Sequence, residues 1–336
     1  MRMKISVIGA GSWGSALGEV AARCGHEVLL WAHDPRVAEA IEQTRSNPVY
    51  LPAAQFGPDV RATSNLAEAA SFSSTLLMVT PSHHFRTVLT EIGASAPGRL
   101  KIISGTKGIE NDSLQRISEI SASVLGERLE AFAVLSGPTF ALEVSRGDPT
   151  AAVVASSDLN FARDVQNSLS CGSFRLYHSD DVAGVELGGS LKNVIAIAAG
   201  VVEGLGLGSN TMAALITRGL HEIRRLGLAL GGRAETFSGL AGMGDLVLTC
   251  TGALSRNRSV GVALGRGRDL DEILRETRLV VEGVRTSLSA RQLAERCGVE
   301  MPIIEEMVRV LYDHDSPRKA IQRLMARELK PELEPG

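Results

Sequence analysis

The feature that most constrains this chain is the run "MKISVIGAGSWG" near its start. Residues 3–8 are a short apolar strand, and Gly9, Gly11 and Gly14 follow as G-x-G-x-x-G. A helical pattern from Ser15 to Cys24 comes next and stops at Gly25, a glycine where a helix C-cap belongs. A second apolar strand, "EVLLWAHD" (27–34), ends in Asp34, twenty residues after Gly14. The glycine pattern alone is weak, and a glycine-rich turn can exist without a ligand. Between a strand and a helix, with an acid that far downstream, it is the context of a dinucleotide-binding βαβ unit. Gly9 permits the tight turn, Gly11 lets a pyrophosphate approach the backbone, and Gly14 lets helix and strand pack closely. The backbone N–H groups of Ser12 and Trp13 would face the phosphates at the helix N-terminus. Asp34 favours an adenosine ribose with free hydroxyls, hence NAD. His33 beside it could instead meet a 2′-phosphate when protonated, so the choice between NADH and NADPH stays open.

Further apolar runs recur with helical patterns between them: "TLLMVTPS" (75–82), "KIISGTKG" (101–108), "FAVLSGPT" (132–139), "AAVVAS" (151–156) and "FRLYHS" (174–179). That alternation implies a doubly wound, mostly parallel sheet covered on both faces, a Rossmann-like α/β domain. Beyond about residue 180 the strand signals stop. Helical patterns follow at 180–204, 210–230, 235–249, 257–265, 270–276, 286–297, 302–312 and 316–329. The expected organisation is therefore a nucleotide-binding domain over 1–183, an all-α domain over 184–330 and a frayed tail at 331–336.

The charge balance is −3 over 336 residues, so no global field favours nucleic acid or an acidic membrane. Clusters such as Arg256/Arg258 and Arg266/Arg268 read first as solvated loop charges. Glu203 and Arg218 interrupt the best apolar run, so no membrane span is expected. The start of the chain shows no signal-peptide pattern. Cys24, Cys171, Cys250 and Cys297 are isolated, without a C-x-x-C pair. Reduced thiols in a cytoplasmic protein, and no metal site, are expected.

In an open parallel sheet, ligands bind beyond the carboxyl ends of the strands. Three such ends carry chemistry: "VTPSHHF" (79–85), "SGTKG" (104–108) and "LSGPTF" (135–140). Lys107 can reach an anion there, though it also fits a solvated loop lysine. Gly137 and Thr139 offer N–H groups and a hydroxyl where the chain enters a helix. His83 and His84 read as a helix start, since adjacent residues do not share a helix face.

The second domain poses a sharper problem. "ELGGSLKNVIAIAAG" (186–200) reads as a helix of mostly small and apolar residues with one charge, Lys192, set into it. Residues three and four away are Gly188, Gly189, Ile195 and Ala196, so no acid is within one helical turn. Glu203 shares the face but lies ~16 Å along the axis. A buried, unpaired ammonium is costly, so Lys192 needs a partner or a route to water. Asp245, in the otherwise uncharged "LAGMGDLVLTC", could supply the missing carboxylate or could simply cap a helix. "SRN" (Ser255, Arg256, Asn257) sets a hydroxyl, a guanidinium and an amide at a helix start, which suits a phosphate and also fits a polar turn.

Taken in order, "VIGAGSWGSAL", "WAHDP", "TKGIE", "SGPTFALEV", "GGSLKNVIAIAAG", "ALITRGL", "GLAGMGDLVLTCTGALSRNRSVG", "VVEGVRT" and "GVEMPI" closely resemble the bacterial NAD(P)-dependent glycerol-3-phosphate dehydrogenases over nearly the whole chain. The resemblance implies a helical domain like that of 6-phosphogluconate dehydrogenase. It implies hydride transfer between NAD(P)H and C2 of dihydroxyacetone phosphate, giving sn-glycerol 3-phosphate for phospholipid synthesis, in a homodimer without a metal. It further implies that Lys192 is the catalytic acid/base. Lys107, Gly137, Thr139, Lys192, Asp245, Ser255, Arg256 and Asn257 would line the substrate site. Ser12, Trp13, His33, Lys107, Ala141, Arg256, Val280 and Glu282 would contact the cofactor. A β-hydroxyacid or 6-phosphogluconate-type dehydrogenase would pair its helical lysine with an asparagine three residues on, whereas position 195 here is isoleucine. A dinucleotide-sensing regulator would have no need of Lys192, Asp245 and Arg256 together.

Overall fold

The computed structural model describes residues 2–277, 280–329 and 331–332, so the tail expected at 331–336 falls mostly outside the described residues. The first part alternates strand and helix. It runs β1 (Lys4–Ile8), α1 (Ser12–Arg23), β2 (Glu27–Trp31), α2 (Pro35–Thr44), β3 (Ser46–Asn47), β4 (Leu51–Gln55), β5 (Val60–Thr63), α3 (Leu66–Phe72), β6 (Thr75–Met78) and α4 (Ser82–Ser95). It continues with β7 (Leu100–Ser104), α5 (Ile117–Leu125), β8 (Leu129–Ser136), α6 (Ala141–Arg146), β9 (Thr150–Ala155), α7 (Leu159–Leu169) and β10 (Phe174–Ser179).

Eight strands form one sheet in the order β10-β9-β8-β7-β6-β1-β2-β5. Every neighbouring pair is parallel except β8 and β9. The central strands are apolar on both faces because both are covered. Ile5, Val7 and Leu30 pack beneath α1, α2 and α7, while Ile8, Leu29 and Met78 pack beneath α3, α4 and α5. The order reverses between β1 and β6, which places a ligand crevice outside their carboxyl ends. The sequence reading passed over β3, β4 and β5. They lack the apolar run that marks the other strands: their sequences are SN, LPAAQ and VRAT.

The second part is helical: α8 (Val182–Gly204), α9 (Ser209–Ala229), α10 (Ala234–Ser238), α11 (Asp245–Thr251), α12 (Arg256–Gly265), α13 (Leu270–Glu276), α14 (Glu282–Cys297), α15 (Pro302–Tyr312) and α16 (Pro317–Met325). The single helix expected over 235–249 is broken. Gly239 is extended, and a π turn over Leu240–Gly244 runs directly into α11. α8 is the axis of this part, with α9, α11, α12 and α14 packed around it. Its glycines allow that. A Cβ on Gly200 would lie 2.0 Å from the Arg258 carbonyl, and one on Gly261 would lie 1.9 Å from that of Ile197, so α8 and α12 touch backbone to backbone.

Two expectations need correction. α8 is in fact long and apolar enough to cross a membrane by length and composition, but its apolar stretch is buried inside the protein. Cys24 and Cys171, expected as reduced thiols, form a disulfide with Cα atoms 5.5 Å apart. Spacing along the chain could not reveal this. The two residues are 147 apart, and only the packing of α1 beside α7 and the turn that follows it brings them together.

Candidate functional site

The crevice is built from the loops that leave β1, β6, β7 and β8. Behind β1, Gly9 has φ +120°, and a Cβ there would lie 2.7 Å from the Val79 carbonyl. A Cβ on Gly14 would lie 1.8 Å from the Gly9 carbonyl. The turn is thus closed on itself and on the β6 loop. Gly11 differs, since a Cβ there would meet nothing within 4 Å among the described residues. It leaves an open backbone surface at the N-terminus of α1, which suits an approaching pyrophosphate. The indole Nε1 of Trp13 is buried and lacks a hydrogen-bond partner among the described residues. Closed turn, open N-terminus and spare donor together fit a bound dinucleotide.

At the expected ribose end of the crevice, the structure corrects the extent of the second strand. β2 stops at Trp31, not at residue 34. Asp34 is the N-cap of α2, and its carboxylate accepts from Arg36 N at 3.0 Å, Nε at 3.1 Å and Nη2 at 2.8 Å. Those hydrogen bonds hold its pKa below the ordinary carboxylate value. The exposed imidazole of His33 stands beside it, against Trp31.

At the far end of the crevice the structure collects charges. Lys192 is only 5% exposed, and the Asp245 carboxylate is 1% exposed. Lys192 Nζ donates to Asp245 Oδ1 and, at 2.8 Å, to Thr249 Oγ1. Lys107 Nζ donates to the other carboxylate oxygen at 2.6 Å and to the Gly137 carbonyl at 3.4 Å. One carboxylate therefore bridges two ammonium groups from different domains. Asp245 does not cap α11. The continuous π turn turns it inward to the lysines. Burial pulls the Lys192 pKa down to about 7; Asp245 opposes the shift, and Lys107 adds to it. The trough beside Lys192 is filled by protein. Gly188 faces the Ala241 carbonyl, and Gly189 faces Ser136 Oγ and the Lys107 side chain. Glu203, further along, pairs with Arg258.

The phosphate candidates sit at the start of α12. Ser255 is its N-cap, with Oγ accepting from Arg258 N at 3.2 Å. That leaves the N–H groups of Arg256 and Asn257 free of intrahelical partners. Arg256 is solvent-exposed and donates to the Val280 carbonyl at 3.2 Å. Some expected contacts are engaged within the protein. The Asn257 amide bridges Asn193 Oδ1 and Gly283 N, each at 3.0 Å. The Glu282 carboxylate accepts from Ser82 N at 3.0 Å and Ser82 Oγ at 2.6 Å, joining α14 to the start of α4. Thr139 Oγ1 donates to the Gly137 carbonyl at 3.1 Å. Ala141 opens α6, and Ser12 Oγ donates to the Tyr50 carbonyl at 2.6 Å.

Two participants escaped the sequence reading. Thr249 lies one turn after Asp245 on the same helix face, so its i,i+4 spacing was a usable signal. Ser136 Oγ, 3.5 Å from Asp245 Oδ2, had none beyond standing beside Gly137. Among the described residues no group of three or more His, Cys, Asp or Glu is placed to hold a metal ion.

Residues 4–162 match the family model for the N-terminus of NAD-dependent glycerol-3-phosphate dehydrogenase, and residues 181–322 match that for its C-terminus. The chain is 52% identical, over 99% of both chains, to a glycerol-3-phosphate dehydrogenase [NAD(P)+] of Citrifermentans bemidjiense. It is 51% identical, over 99% of this chain and 100% of the other, to that of Syntrophotalea carbinolica. Its structure superposes on crystalline glycerol-3-phosphate dehydrogenase from Coxiella burnetii with a TM-score of 0.92 at 40% identity, covering 96% of this chain and 99% of that one.

Proposed function

Since this chain belongs to the NAD-dependent glycerol-3-phosphate dehydrogenase family, we propose that Lys192 is the group that delivers and removes the proton at the substrate's C2 oxygen. The activity is that of an NAD(P)-dependent oxidoreductase, interconverting sn-glycerol 3-phosphate and dihydroxyacetone phosphate. When bound, the nicotinamide supplies or accepts a hydride at C2. As a ketone is reduced, negative charge develops on its oxygen, and an ammonium held there both stabilises that charge and donates the proton. In the oxidation direction the same amine must accept a proton. A pKa near 7 makes both forms accessible at neutral pH.

The observation that carries this reading is the bridging carboxylate. Asp245 orients the Lys192 amine, and Lys107 adds a second positive charge on the same side. The substrate's phosphate carries about two negative charges. Arg256 and the free N–H groups at the start of α12 are suited to it. Ser12, Trp13 and the glycine turn would hold the dinucleotide at the other end of the crevice, with His33, Ala141 and Val280 along its length. We further propose a homodimer in the cytoplasm that feeds glycerophospholipid synthesis, and a division between the two domains near residue 183, on the strength of the family resemblance. Light scattering of the purified protein tests the dimer.

Lys192→Ala tests the central assignment. Turnover of dihydroxyacetone phosphate should vanish while NADH still quenches or shifts the protein fluorescence as in the parent. Near-normal kcat in that variant would sink the assignment.

A further inference from the structure

Three residues of α8, at 189, 190 and 192, all act on the loop that carries Lys107. Gly189 leaves room for Ser136 and the Lys107 stem, because a Cβ there would come 2.6 Å from Ser136 Oγ. Lys192 shares Asp245 with Lys107. Between them, the buried Ser190 hydroxyl accepts the Gly108 N–H at 2.9 Å and donates to the Glu186 carbonyl at 2.7 Å. Gly108 is the residue after Lys107. It has φ +154°, and a Cβ on it would come 2.5 Å from Ser82 Cβ, so this backbone has little latitude. Glu186 is itself tied across the domain boundary. Its carboxylate accepts from Ser118 N at 2.7 Å, Ser118 Oγ at 2.6 Å and Arg116 Nη1 at 3.0 Å, at the start of α5.

We propose that Ser190 is a positioning residue for the reaction: its hydroxyl fixes the Gly108 amide to α8 and thereby holds the Lys107 ammonium on Asp245, in register with Lys192. Lys107 comes from the sheet domain, whereas Asp245 and Lys192 come from the helical domain. The pairing of the two lysines therefore depends on how the β7 loop is docked on α8. Side chains alone could not set it, because a lysine stem is flexible and its loop must be placed first. Ser190 makes the one side-chain hydrogen bond that ties the backbone beside Lys107 to the helix bearing Lys192, among the described residues. The inference rests on the reading of Lys192 as proton donor.

It makes a distinctive demand on the pH profile. The charged groups acting on Lys192 are Asp245 of α11 and Lys107 of the β7 loop; the neighbouring Cys250 thiol, pushed up to about 12 by burial, stays neutral. If Lys107 drifts from Asp245, its repulsion of Lys192 weakens and the Lys192 pKa rises. Reduction requires the protonated amine, so its alkaline limb should move to higher pH.

The test compares Ser190→Ala and Ser190→Cys with the parent and with Lys192→Ala. The thiol nearly preserves the hydroxyl's volume but is a weak acceptor, which separates a lost hydrogen bond from a cavity. Both Ser190 variants should retain the parent's NADH Kd and a cooperative thermal transition. In both, kcat/KM for dihydroxyacetone phosphate should fall about tenfold to a hundredfold, the size expected of a displacement near 1 Å. In both, the alkaline limb of kcat should move upward. A parent-like kcat/KM and limb in either folded variant overturns the positioning role, while an active Lys192→Ala would instead overturn the reading on which it rests. A loss of kcat/KM with the limb unmoved would mean that Ser190 does not act through the pairing of Lys107 with Lys192, and this too refutes the proposal.

Discussion

Replacing Asp245 by Asn keeps the shape of the bridge between the lysines and removes its charge. Lys192 then loses its strongest favourable electrostatic partner while burial and Lys107 continue to press its pKa down. At an effective dielectric near 20, a charge pair about 4 Å apart is worth about 4 kcal/mol, or roughly three pKa units. Starting from about 7, the amine would become neutral across the working range. Near pH 7.5 roughly a quarter of Lys192 is protonated in the parent, given its pKa of about 7, and each further unit down costs about tenfold in the donor form. Reduction of dihydroxyacetone phosphate at that pH should therefore slow by about a hundredfold to a thousandfold. The assay is NADH oxidation followed from about pH 5.5 to about pH 9. The alkaline limb of kcat should move to lower pH, opposite to the Ser190 variants. A limb in the parent's position, with kcat reduced or not, would show that Asp245 does not set the ionisation of Lys192. Thermal stability gives a second reading. Breaking a buried ion pair by removing one partner costs about 3–5 kcal/mol, and an isosteric amide should lose no more than that.

Three other expectations follow from particular contacts. Arg256→Ala should raise KM for dihydroxyacetone phosphate about tenfold or more, since a charge-assisted phosphate contact is worth about 1.5–3 kcal/mol, and an unchanged KM would count against the phosphate site. Glu222 is buried, accepts the N–H groups of Ile303 at 2.8 Å and Ile304 at 3.3 Å, and has its pKa raised by burial to about 7. A carboxyl raised in the folded state contributes stability below its unfolded pKa near 4.5 and loses it as pH rises through about 7, a swing of ~3 kcal/mol. Glu222→Gln should flatten the stability profile over that window, and denaturant melts that keep the parent's slope would refute this. Reduction of the Cys24–Cys171 disulfide, which closes a separation of 147 residues, should lower thermal stability by at most about 5 kcal/mol. Calorimetry with and without reductant should show the shift in the parent and none in Cys24→Ser; a parent indifferent to reductant would argue against the bond.

Features that depend on neighbours in the chain were legible from the sequence. The glycine turn needs only residues 3–14, because strand, turn and helix start are local. The helix that carries Lys192 was equally clear from its long run of small and apolar residues. Lys192 itself stood out because an ammonium within an apolar helix is an energetic anomaly at any fold. What the chain order could not provide was its surroundings. Asp245 was nameable as a possible partner, but that it bridges Lys192 and Lys107 depends on a π turn and on two domains closing over it. The Asn257 amide also holds Asn193 and Gly283, and the Glu282 carboxylate holds Ser82, contacts that form only in the folded protein. Asp34 was legible as an acid after the second strand, but that it caps α2 and pairs with Arg36 emerged only in the fold. The Cys24–Cys171 bond was invisible for the same reason that the lysine pair was. Local conformation follows from residues a few positions apart, whereas the distance between residues far apart is set only when their elements pack.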